Sequence, residues 1–100
     1  MADINEGINS LNQSLKDLGK LKHDADPQKI EDDWNAACQK IDQAKDDLAE
    51  YVQGDEALKS TAMKAFAAFK QAEADPTHHA GLNQLCSSIR ELISQLKEKS

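Results

Sequence analysis

The sequence predicts an all-α protein, an antiparallel up-down-up-down four-helix bundle formed by a single domain over residues 1–100. Three observations predict it. Apolar residues recur at alternating steps of three and four, period-two alternation occurs nowhere, and Gly- or Pro-marked joints cut the chain into four stretches. Leu, Ile, Val and Phe number only 19 of 100, near the border at which chains stay disordered. A fold therefore depends on those side chains sharing faces, since scattered ones would not offset the conformational entropy of ordering.

The joints are His23-Asp24-Ala25-Asp26-Pro27, Gln53-Gly54-Asp55 and Ala74-Asp75-Pro76. An Asp before Pro suits a helix start, because the carboxylate accepts from free backbone N–H groups and Pro at the first helical position needs no hydrogen-bond partner. Asp26-Pro27 and Asp75-Pro76 are read in this way, and Asp55 after Gly54 similarly. The first segment carries the stripe Ile4, Ile8, Leu11, Leu15 and Leu18. The second carries Ile30, Trp34, Ala37, Ile41, Ala44, Leu48 and Tyr51. The third runs Leu58, Ala62, Ala65, Phe69 and Ala72, with Phe66 beside it. The fourth runs Leu82, Leu85, Ile89, Leu92 and Leu96, with Cys86 and Ile93 alongside. With 14 alanines and only nine Ile, Val and Thr, local propensity agrees with the pattern. The short joints force antiparallel neighbours. Alanines of the second and third helices are expected to allow close approach opposite Trp34, Phe66 and Phe69.

Composition excludes several function classes. Twelve Lys and Arg against 18 Asp and Glu give a net charge of -6, the wrong sign for gripping nucleic-acid phosphates. No window approaches the roughly 18 apolar residues of a membrane span, and Met1-Ala2-Asp3 lacks the basic and apolar regions of a signal peptide, so a cytoplasmic chain is expected, with a mature secreted or periplasmic chain as the alternative. Cys38 and Cys86 form no CxxC and fall level on parallel helices. Diagonal placement would hold their Cα atoms on the order of 9 Å apart, beyond the roughly 7 Å limit for a bridge, so reduced thiols are expected. The sequence has no Gly-rich phosphate loop, no Gly-x-Ser-x-Gly and no His-Glu-x-x-His, so no catalytic residues and no cofactor are assigned.

Two candidate sites remain. The topology gathers His23, His78 and His79 at one end with Asp24, Asp26, Glu73 and Asp75. These are nitrogen and oxygen donors suited to a divalent ion or another ligand, although no spacing pre-forms a chelate. The stronger feature is charge. Residues 1–54 hold 12 acidic and 6 basic groups and residues 55–100 hold six of each, so the net charge belongs to the first two helices. Glu31, Asp32, Asp33, Asp42, Asp46, Asp47 and Glu50 crowd one helix, with Lys40 and Lys45 interspersed. This ridge would steer a basic partner. The expectation is a non-enzymatic protein-binding module, an acidic bundle of the inhibitor, immunity-protein or chaperone type acting on a more basic protein. The alternatives are ligand or metal binding at the histidine end and self-association.

Overall fold

The structure is a computed structural model and describes residues 4–75 and 77–99. Helices α1 (Ile4–His23), α2 (Pro27–Gln53), α3 (Glu56–Ala74) and α4 (His79–Lys99) form a compact antiparallel bundle, 40 × 22 × 17 Å in extent. Sequence neighbours pack side by side and α4 closes against α1. No Cα of α2 comes within 8 Å of one in α4. Cys38 and Cys86 are accordingly both free, since a bridge needs Cα atoms within roughly 7 Å.

The caps form largely as the sequence implies. Asp26 Oδ1 accepts from Gln28 N at 3.0 Å, with Pro27 opening α2. Asp55 Oδ1 accepts from Ala57 N at 2.9 Å and Leu58 N at 3.2 Å, and Asp55 also pairs with Lys99 at the end of α4. That lysine, followed by the backbone N–H of Leu58, holds the Asp55 carboxyl below its ordinary pKa. Asp75 departs from expectation. It is the C-cap of α3, and its side chain accepts from Thr77 N and Thr77 Oγ1 in a local turn, so α4 opens only at His79. An Asp-Pro pair serves a turn as readily as a helix start, and the role expected of Pro76 lies outside the described residues.

Leu82, Leu85, Cys86, Ile89, Leu92, Ile93 and Leu96 make one buried face of α4. Each aliphatic side chain so enclosed contributes about 1.5–3 kcal/mol. Facing it, α1 buries Ile4, Ile8, Leu11, Leu18 and Leu21, while Leu15 of the expected stripe is only half-buried. Ser14 lies fully inside because its hydroxyl donates to Leu11 O at 2.6 Å, which leaves no unpaired donor. Gly7 lets α2 approach closely, because a Cβ there would collide with Leu48 Cγ and both Cδ atoms.

Helix α3 is rotated from the expected stripe. It buries Leu58, Thr61, Ala68 and Ala72, whereas Ala62 and Ala65 are half-buried and Phe66 is 48 % exposed. Thr61 tolerates burial because Oγ1 donates to Ala57 O at 3.1 Å. These small residues suit a close α3–α4 packing, and the rotation turns Ala62, Phe66 and Phe69 towards α2. Tyr51, expected on the core stripe of α2, is 37 % exposed.

Candidate functional site

The loosest seam of the bundle lies between α2 and α3. At its upper end Trp34 and Phe69 stack across it, with ring centroids 5.4 Å apart and planes at 19°. The joint at Gly54 and Asp55 closes the other end. Between them alanines face alanines, Ala44 and Ala49 against Ala62 and Ala65, and the helices do not close over them. An apolar cleft of about 620 Å³ results. Leu11, Leu48, Leu85, Ile89 and Leu92 form its floor, and Ile41 and Val52 continue the α2 wall. The close approach expected of these alanines opposite Phe66 does not occur here, because Phe66 has left the core for the rim.

The rim mixes apolar and charged groups. Met63 is 65 % exposed. Phe66 is flanked by the ammonium groups of Lys45 from α2 and Lys70 from α3, each 5.2 Å from the ring centroid. Each contact is worth about 0.5–1 kcal/mol at an exposed site. Asp42, Lys45 and Gln53 border the cleft on the α2 side and Lys59 on the α3 side. A cleft of this size and apolarity lies within the roughly 300–1,000 Å³ range of binding sites.

The acidic residues of α2 divide around it. At about 100° per residue the seven carboxylates span an arc of the helix rather than one line. Asp42 lines the cleft, and Asp46 and Glu50, one and two turns on, lie outside its lining and step round the helix away from it; all three are exposed, as are Glu31 and Asp32. Asp32 accepts from Gln28 Nε2 at 3.1 Å. Asp33 and Asp47 are half-buried. Asp33 meets Asp24 at the α1–α2 joint. A hydrogen bond between the two carboxyls, then burial and the Asp24 charge, raise its pKa. Asp47 Oδ2 is enclosed with no hydrogen-bond partner among the described residues. Lys40, which the sequence sets among these acids, instead reaches Asp17 of α1 at 3.2 Å, so the outer surface of α2 is more negative than its composition suggests.

His23, His78 and His79 are all exposed, and among the described residues no three His, Cys, Asp or Glu side chains are grouped so as to hold a metal ion. No described helix is long and apolar enough to cross a membrane. Burial, reinforced by the charges of Glu73 and Asp42, pushes the Cys38 thiol up to about 11, far from the thiolate a nucleophile needs near neutral pH. Sequence reasoning missed Met63, Phe66, Ala49 and Ala62 as site residues. Their available signal was the set of seven alanines between residues 56 and 74, too many small side chains to fill the seam. No family model, curated protein or solved structure matches the chain.

Proposed function

We propose that this chain is a non-enzymatic protein-binding module whose contact surface is the α2–α3 face. The observation that carries the reading is the open apolar cleft with Met63 and Phe66 standing at its rim. Exposed apolar surface bordered by charge marks interaction sites on helical proteins, and a groove between two helices receives the apolar stripe of an amphipathic helix. The charges specify that helix further. Asp42 borders the cleft beside Lys45, and Asp46 and Glu50 lie on the exposed surface outward of it, so the part of the partner that lies over this outer side of α2 is basic. Lys59 and Lys70 on α3 favour an acidic opposite edge. The net charge of -6 steers the basic portion of a partner inward and adds more to association rate and specificity than to affinity. An inhibitor, immunity or chaperone role is a use of such a surface on a more basic protein.

The test is calorimetric titration with a designed helical peptide carrying leucine on one face, lysine along one edge and glutamate along the other. Saturable binding that Met63→Asp abolishes supports the proposal, as does slowed association in an Asp42→Lys, Asp46→Lys variant. Absence of binding, or binding indifferent to Met63→Asp, overturns it.

A further inference from the structure

The arrangement just derived for the partner's contact face, an apolar strip with basic groups on one side and acidic groups on the other, is also present on this chain's own α2–α3 hairpin, acidic though the chain is overall. Helices α2 and α3 run antiparallel from Gly54 and Asp55, so residues equally far from that joint lie at about the same height. The contact of Lys45 with Phe66 and the stack of Trp34 on Phe69 bracket this register. Glu50 is thus level with Lys59 and Asp46 with Met63, while Asp42 lies within about one turn of Lys70. Asp42, Asp46 and Glu50 run along the outer side of α2, with Lys45 nearer the cleft and held over Phe66, while Lys59 and Lys70 stand on α3 and Met63 and Phe66 rise beside the hollow. Asp42, Asp46, Glu50 and Lys59 make no ion pair among the described residues.

A second copy turned about a two-fold axis parallel to the helices lays its α3 on the α2 of the first, and its α2 on the α3, at unchanged height. Lys59 of each copy then meets Glu50 of the other, Lys70 approaches Asp42, and Met63 of each lies beside the cleft of its mate at the height of Asp46, with Phe66 next to it. The surface is self-complementary, as a two-fold interface requires. A bundle of 40 × 22 × 17 Å offers on one side an area on the order of the ~800 Å² per partner that a standard interface buries.

We infer that the α2–α3 face is the interface of a symmetric homodimer. The inference rests on the reading of that face as a docking surface and names its occupant as a second copy of the chain. The test is sedimentation equilibrium on three samples checked for helicity by circular dichroism: wild type, a Lys59→Glu, Lys70→Glu variant and an Asp42→Lys, Glu50→Lys variant. Wild type is expected to dimerise, and each variant alone to dissociate at least about tenfold more readily, because like charges then oppose each other across the interface. An equimolar mixture of the two variants restores both charge pairs and is expected to recover the dimer. A monomer at all concentrations, a dimer unaffected by either variant, or a mixture that fails to recover would overturn the inference. A monomer that still binds the designed peptide overturns the dimer alone and leaves the docking face standing; a monomer that binds neither sinks both.

Discussion

Replacing Ala62 with leucine distinguishes an open seam from a closed one. Ala62 is half-buried on the α3 wall of the cleft, and leucine adds three carbons to a space of about 620 Å³. Full enclosure of three carbon groups at about 0.8 kcal/mol each would contribute roughly 2 kcal/mol. The cleft is open on its outer side, so about half of that, near 1 kcal/mol, is expected. Ala62→Leu should therefore raise the stability read from urea unfolding by about 1 kcal/mol while leaving the dependence on urea concentration unchanged. If α2 and α3 were instead packed as tightly as their alanines permit, the same leucine would overpack the seam and cost about 1–3 kcal/mol. A loss of that size would refute the cleft and the docking face with it. The substitution also fills part of the hollow, so weaker binding of the designed peptide should accompany the gain in stability.

The remaining predictions concern the scaffold. Gly7→Ala should destabilise the bundle by up to about 2 kcal/mol, because overpacking against Leu48 at about 1–3 kcal/mol outweighs the helix-propensity gain of about 1 kcal/mol. Gly19→Ala meets nothing within 4 Å and should stabilise it by up to about 1 kcal/mol in the same denaturation assay. With its thiol raised to about 11, Cys38 should react with a disulfide reagent far more slowly at pH 7 than a free cysteine, and the rate should keep climbing above pH 9. Asp33 has a raised folded-state pKa, so its protonated form favours folding at low pH and that contribution is lost as pH rises through the raised value. Asp33→Asn should thus melt higher than wild type at pH 7, with the gap narrowing towards pH 3. A gap that widens on acidification would contradict the carboxyl pair with Asp24.

Much of the scaffold was legible because the signals were local and redundant. Asp26-Pro27 and the apolar repeat in residues 82–96 each point to one structure, since a cap and a stripe of large side chains leave no second solution. The third helix was not legible in the same way. Ala62, Ala65 and Ala68 are alike in size, so periodicity cannot choose among neighbouring faces, and the choice falls to Thr61, whose hydroxyl finds its acceptor within the helix. A modest rotation then carries Phe66 from the core to the rim and opens the cleft, a tertiary outcome that no window of sequence contains. The acidic character of α2 was visible from composition. Its division was not, because the turn of Asp33 to Asp24 and of Lys40 to Asp17 depends on the register between α1 and α2.

The most direct measurement of the central claim is a chemical-shift map of the isotopically labelled protein titrated with the designed helical peptide. Shifts concentrated at Ala49, Val52, Ala62, Met63 and Phe66, with Asp42 and Asp46 following, are the predicted result. Shifts centred on His23, His78 and His79, or none at all, would contradict it.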